Sequence, residues 1–338
     1  WRNIECGSRH IYMCRCWSCT SHARFAQSGR DNGYPMTDYQ IRISDEVGKA
    51  LLRGQPVVAL ESTIFSHLGL PSPSNLEALN RCTGAIRSFN AVPAITAVLD
   101  GVARVGIDQA DWPLICGPAK KVGERELGLA IAQRWAVGAT TVSSSLLLAA
   151  RAGIRVFSTG GIGGVHRGAE TSGDISSDLG ALAQHHVVTV CAGAKSFLDL
   201  PRTLEYLETL SVPVIGFGCD FFPEFTVREG DIPIPARVDT IEQLADVVRA
   251  NDALGRKGGI LTCVPVPEAD GLFKLFMDDV TEMAIKDATT KGVTGAAVTP
   301  HILKFIARAT QDASVKANLS LAENNARVAA QLAVELLR

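Results

Sequence analysis

The sequence predicts an α/β protein: a three-layer α/β/α sandwich with a mixed, largely parallel central sheet, in a single domain with loop elaborations. Three observations carry this expectation. Short β-branched runs alternate with helical stretches of ten or more residues, the pattern of strand–helix–strand units. Two strand-like runs, 92–100 and 102–107, meet at Asp100-Gly101, a hairpin signal that adds antiparallel pairing. No change of composition between residues 60 and 338 marks a linker, and no stretch repeats another.

Residues 1–35 stand apart. They hold five arginines against two acids and show no sustained period of 3.6 or 2. They are expected to be a disordered N-terminal extension preceding a domain at 36–338, with Met36 as a natural start; an Arg-rich leader is the alternative. Ser44 is placed to cap a helix whose first turn carries Asp45 and Glu46 and which Gly54 stops. A buried strand at 56–60 delivers Glu61, Ser62 and Thr63 into a loop rich in Pro, Ser and Gly. Residues 76–90 are helical, and the strand pair at 92–107 follows. A basic turn at 117–127 leads into a helix running through Trp135. Thr140 and Thr141 then open a helix with a long apolar body. The strand at 154–159 empties into T-G-G-I-G-G, and the strand at 187–191 empties into A-G-A-K. The second half continues with strands at 212–218 and 258–264, and helices at 240–254, 272–291, 299–310 and 315–337.

The totals exclude several classes. A net charge of −2 offers no attracting field to nucleic acid or an anionic membrane. No apolar run approaches the roughly 18–20 residues that span a bilayer. A soluble, cytoplasmic protein acting on a small molecule is the expectation. Cys82, Cys116, Cys191, Cys219 and Cys263 sit among apolar neighbours, as reduced, buried thiols do. Cys14, Cys16 and Cys19 lack the paired second knuckle of a zinc site.

Chemistry is expected at the carboxyl ends of the strands, where open α/β sheets bind ligands. The T-G-G-I-G-G turn is neither a dinucleotide fingerprint nor a P-loop; its glycines either cradle an anion or let neighbouring structure approach closely. On a helix starting near Ile175, Asp174 and Asp178 would share one face, a pair suited to a hard divalent ion; the alternative is an N-cap and a solvated carboxylate. Lys195 ends a buried strand, where burial would favour the free amine that forms imines; the alternative is an ion pair with Glu61 or an aspartate. Glu61 ends a strand in the same way and suits a general acid, unless it is a turn carboxylate. Lys120, Lys121 and Arg125 form the strongest cationic cluster for a phosphate, or a solvated helix start. His67 and His166 remain open.

Taken together these segments resemble the pseudouridine-5′-phosphate glycosidases, also called the indigoidine synthase A-like family. The resemblance covers about residues 41–338. It is carried by V-V-A-L-E-S-T-I at 57–64, V-P-A-I-T-A-V-L-D-G at 92–101, G-A-T-T-V at 138–142 and T-G-G-I-G-G-V-H-R-G-A-E at 159–170. It continues with D-I-S-S-D-L at 174–179, C-A-G-A-K at 191–195 and S-V-K-A-N at 314–318. The resemblance implies a lyase that reversibly cleaves the C–C glycosidic bond of pseudouridine 5′-phosphate to uracil and ribose 5-phosphate. It implies Lys195 as nucleophile on C1′ and Glu61 as proton donor. Asp174 falls where the family holds one divalent ion, typically Mn²⁺. Lys121, Val142, Ser176, Ser177, Asp178 and Asn318 fall at substrate-binding or active-site positions, and the family suggests a homotrimer. Three departures stand out: Leu68-Gly69-Leu70 in a loop one residue longer than usual, Gly123-Glu124-Arg125-Glu126 after Lys121-Val122, and His301 in place of the usual Phe. They bear on base and phosphate contacts rather than on the reaction. An aldolase-like lyase using the same Lys, and a non-catalytic metabolite binder using the Gly-rich turn, are the competing classes.

Overall fold

The structure is a computed structural model and describes residues 41–338. The extension at 1–35 and its cysteine cluster lie outside the described residues.

The chain runs β1 (Arg42–Ile43), α1 (Asp45–Leu52), β2 (Val57–Leu60), α2 (Ser74–Arg87), β3 (Val92–Leu99), β4 (Val102–Val105), α3 (Trp112–Ile115), β5 (Lys120–Val122), α4 (Glu124–Ala132), β6 (Val137–Thr140) and α5 (Val142–Arg151). It continues with β7 (Val156–Ser158), α6 (Ala169–Ser172), α7 (Ser177–Gln184), β8 (Val188–Cys191), α8 (Leu200–Thr209), β9 (Val214–Phe217) and β10 (Ala236–Val238). The last elements are α9 (Ile241–Ala253), β11 (Ile260–Cys263), α10 (Lys274–Thr290), α11 (Val298–Ala309) and α12 (Ala313–Glu335).

The main body of the sheet is parallel, in the order β3-β2-β7-β8-β11-β9-β10. Antiparallel pairing is confined to β3. Its first half pairs with β2 in parallel, while Thr96–Leu99 pair antiparallel with β4, and Ala97–Leu99 with β6. The β3–β4 turn is the expected hairpin: Asp100 and Gly101 both take positive φ, as a type I′ turn requires.

Period-two alternation feeds two cores. In β2, Val57 and Ala59 face the layer built from α1, α4, α5, α7 and α8, while Val58 and Leu60 face the layer of α2, α9 and α12. The parallel strands are buried on both faces, which is why they read as unbroken apolar runs. The predicted three-layer fold holds.

Several boundaries differ from expectation. Strands β5 and β6 stand where a basic turn and a helix start were expected; K-K-V and V-G-A-T are too short and too poor in β-branched residues to carry a strand signal alone. Thr141 becomes the N-cap of α5. Helix α7 begins at Ser177 with Ser176 as its cap, so Asp174 precedes the helix and shares no helical face with Asp178.

The chain leaves β2 toward β3 through α2 on one face, and leaves β7 toward β8 through α7 on the other. Neighbouring strands β2 and β7 therefore mark a topological switch point, and a crevice opens beyond their carboxyl ends.

Candidate active site

Glu61 leaves β2 at that switch point and is buried. The segment after it is fastened to the end of β6: Ser62 and Thr63 both donate backbone N–H to the Thr140 carbonyl, at 3.3 and 3.1 Å. The Thr63 hydroxyl donates to the same oxygen at 2.6 Å, and Thr140 N–H returns to Ser62 Oγ at 2.9 Å. The Glu61 carboxyl accepts from the hydroxyl of Thr159, the first residue past β7. Burial pushes its pKa up to about 7, against the lowering effects of Lys195, the Thr159 hydroxyl and Lys121, and with a small push from Asp178. Near neutral pH the carboxyl is thus divided between its two forms.

Lys195 lies four residues past the end of β8. Its Nζ donates to the Gly161 carbonyl at 2.9 Å, and among the described residues no carboxylate lies within 4.0 Å of it. The ion-pair alternative is not realised. The amine is half-buried, held by one neutral acceptor and free to turn toward the cleft.

The Gly-rich turn packs closely. A Cβ on Gly163 would collide with Ser176 and one on Gly161 with the Phe225 ring, so the glycines shape the wall instead of cradling an anion. The anion they do meet belongs to the protein. Asp178 Oδ2 accepts from Gly163 N–H at 2.9 Å, and its Oδ1 accepts from Ser143 N–H at 3.1 Å. A carboxylate at the start of α5 and α7 suits both helix N-termini. Asp178 is therefore buried and anchored, contrary to the solvated reading. It ties α7, α5 and the Gly-rich turn into one wall.

Other expected residues complete the cleft. Ser176 Oγ accepts from Asp178 N–H at 3.3 Å, and Ser177 Oγ donates to Ser143 Oγ at 3.1 Å. Val142 is the buried first residue of α5. Strand alternation sends Lys121 into the cleft and Lys120 the other way, where its ammonium sits 4.6 Å from the Trp135 ring centre. Arg125 is 91% exposed and paired with Glu126, so the expected three-cation cluster reduces to Lys121 at the wall and Arg125 at its edge. Asn318 on α12 is buried, and its Oδ1 has no hydrogen-bond partner among the described residues. An unmet buried acceptor facing a cleft is a group waiting for a ligand N–H.

All nine expected residues, Glu61, Lys121, Val142, Asp174, Ser176, Ser177, Asp178, Lys195 and Asn318, line this one cleft of about 520 Å³. Thr159, which holds Glu61, was not singled out from the sequence; a hydroxyl directly after a buried strand was the available signal. His166 also lines the cleft. Burial holds its pKa below the usual range, Asp174 opposes, and Lys121 and Lys195 add to the lowering. His67 instead lines a neighbouring chamber and accepts from Ala119 N–H through Nδ1 at 3.1 Å.

The donor set for a metal is sparse. Among the described residues no three His, Cys, Asp or Glu side chains gather as ligands. Asp178 accepts one backbone N–H at each oxygen and so serves as an anchor of the wall. Asp174 remains half-exposed, with His166 Nδ1 3.9 Å away and no Lys or Arg within ion-pairing distance among the described residues. A lone cleft carboxylate fits a hard, largely hydrated ion that shares its shell with water and substrate oxygens.

The chain resembles known proteins along most of its length. Residues 46–335 match the family described as Indigoidine synthase A like protein. The chain is 47% identical over 301 residues to a pseudouridine-5′-phosphate glycosidase from Myxococcus xanthus, covering 88% of this chain and 99% of the relative. It is 46% identical over 299 residues to one from Caldanaerobacter subterraneus, covering 88% and 96%. Among solved structures it resembles the prealnumycin C-glycosynthase AlnA in complex with ribulose 5-phosphate, with a TM-score of 0.81, 36% identity and coverage of 89% and 98%. An indigoidine synthase A-like protein from Thermotoga maritima superposes with a TM-score of 0.79 at 32% identity, covering 88% of this chain and 97% of the other.

Proposed function

This chain belongs to the indigoidine synthase A-like family, and from that premise we propose that it reversibly cleaves the C–C glycosidic bond of pseudouridine 5′-phosphate to uracil and ribose 5-phosphate. One observation carries the proposal: a buried carboxyl with a pKa of about 7, Glu61, and an amine held by a single carbonyl, Lys195, share one cleft. A C-glycoside has no heteroatom leaving group to protonate, so paired-carboxylate hydrolysis is unsuited to it. An acid and a nucleophilic amine are suited.

In this reading, protonated Glu61 gives its proton to the ring oxygen as the O4′–C1′ bond opens, with electrons supplied by the base. The Lys195 Nζ lone pair then bonds to C1′ and the electrons return to the base. The Glu61 carboxylate takes a proton from the secondary ammonium so formed and gives it to uracil C5, and the C1′–C5 bond breaks. Its electrons remain in the uracil ring, while the Nζ lone pair closes an imine at C1′. Water hydrolyses the imine, releasing ribose 5-phosphate and restoring the amine.

The remaining residues bind and orient. Lys121 sets its charge against the phosphate, with Ser176 and Ser177 supplying hydroxyls beside it. Asp178 anchors the wall that carries them through Ser143 and Gly163, Val142 packs against the sugar, and Asn318 Oδ1 accepts an N–H of the base. Asp174 is the residue that would hold Mn²⁺; bound there, the ion would supply positive charge beside substrate oxygens. A homotrimer is proposed for the assembly, and light scattering at three chain masses checks it. The function itself is tested by incubating the protein with pseudouridine 5′-phosphate and measuring released uracil chromatographically, with borohydride trapping of the imine. Absence of both uracil and adduct in the metal-supplied protein overturns the reading.

A further inference from the structure

The chamber beside the reaction cleft is the larger of the two, about 680 Å³ against about 520 Å³. The cleft alone is of the size that encloses an ordinary small ligand, so the chamber is space beyond what the parent nucleotide fills. The two are continuous: Leu68, Gly69, Phe197, Phe225, Leu303 and Asn318 line both. Their junction lies at the Lys195 end, since Ser196 and Phe197 follow Lys195 directly into the chamber wall. Lys121, Ser176 and Ser177 line only the cleft. A nucleotide with its phosphate toward Lys121 and C1′ at Lys195 therefore points its base at the chamber.

The lining says what would enter. Met277, Ile306 and Val315 give it apolar walls. Lys304 and Arg308, one turn apart on the exposed side of α11, have no carboxylate within 4.0 Å among the described residues. Asp312 is the one carboxylate in the lining, His67 is engaged by Ala119 N–H, and His301 is held by Asp287 at 2.7 Å. An apolar chamber whose lining carries two cations without an ion-pair partner among the described residues matches an apolar arm ending in an anion. Two of the three departures from the usual family pattern, Leu68-Gly69-Leu70 and His301, line the chamber as well, while the third, at 123–126, borders the cleft.

We propose that the chamber is a subsite for a substituent on the departing base, and that the enzyme accepts C-nucleotides whose pyrimidine nitrogen carries an alkyl arm ending in a carboxylate. The inference rests on the cleavage proposed above. The bonds made and broken at C1′ are unchanged, and the arm leaves with the base.

The experiment offers the enzyme pseudouridine 5′-phosphate alongside its N1- and N3-carboxypropyl and propyl derivatives, following base release chromatographically. At least one carboxypropyl isomer is expected to be cleaved with kcat/KM equal to or above that of the parent compound. In the double variant Lys304→Ala, Arg308→Ala, that value falls about tenfold, mainly through KM, as loss of a charge-assisted contact predicts. The parent compound and the propyl derivatives are unaffected. Cleavage of the parent with neither carboxypropyl isomer accepted overturns the proposal, and so does an equal loss for all compounds in the double variant. Calorimetric titration of Lys195→Ala with the same compounds reads the subsite without turnover. Equal affinity for carboxypropyl and propyl derivatives overturns the subsite even if the cleavage reading fails separately.

Discussion

The two ends of the cleft differ in how far the protein satisfies its own polar groups. At the α5–α7 end, Asp178 has both oxygens hydrogen-bonded to backbone, and Ser143, Ser176 and Ser177 are tied to one another or to Asp178. At the Glu61–Lys195 end, a buried carboxyl is held away from its charged form, and among the described residues an amine has a single acceptor and Asn318 Oδ1 has no partner. Satisfied groups are rigid and inert; under-satisfied ones retain capacity for a ligand or a reacting atom. On the proposed mechanism the first end positions and the second reacts, so substitutions should separate into losses of stability and losses of rate.

Lys195→Ala tests the reacting end most severely. Removal of a nucleophile is expected to lower uracil release by about four orders of magnitude and to abolish the borohydride adduct, with thermal stability retained. An adduct that survives in this variant breaks the assignment. Glu61→Gln is expected to lower kcat about 10²–10⁴-fold, the usual range for a positioned acid. Its stability signature has the opposite sign. Because the folded pKa of about 7 lies above the ordinary carboxyl value of 4.5, folding binds a proton, and the parent loses stability as pH rises from 4.5 through 7. That loss amounts to roughly 3 kcal/mol. In denaturant titrations across this range Glu61→Gln should lack the loss and exceed the parent in relative stability above pH 7. The parent's rate should fall above the same pH as the acid form is depleted.

At the positioning end the order reverses. Asp178→Ala leaves the N–H groups of Ser143 and Gly163 without their acceptor and is expected to cost about 2–4 kcal/mol of stability, read as a shift in the denaturant midpoint. A variant as stable as the parent would show that the anchored wall is not what the hydrogen bonds imply. Asp174→Ala should have the smallest effect on folding, within about 0.5 kcal/mol, because the side chain is half-exposed and its ionic neighbour among the described residues, His166, is 3.9 Å away. Its activity should lose its dependence on added Mn²⁺, whereas an unchanged metal titration removes Asp174 as the ligand.

Much of this was legible beforehand because it is written locally. Runs such as V-V-A-L and V-T-V-C announce buried parallel strands, and Glu61 and Lys195 are conspicuous as charges placed directly after them. Strands β5 and β6 were not legible, since three or four residues containing Lys, Gly and Ala form strands only when a neighbour completes the ladder. The pairing of Asp174 with Asp178 misled for a related reason. Spacing places two residues on a common face only if the helix includes both, and the Ser176 cap begins it between them.

By itself, then, the sequence determined the layer architecture, the strand ends that carry chemistry and the family. Each follows from periodicity or contiguous motifs, which act over a few residues. Tertiary structure decided what each charged group became. Asp178 became an anchor because Ser143, 35 positions away, turns its N–H toward it, and Glu61 a weak acid because distant segments bury it, a shift that outweighs the lowering pull of the Thr159 hydroxyl 98 positions away. Burial and hydrogen-bond partners come from chain segments brought together by the sheet, and no local pattern records which segments those are.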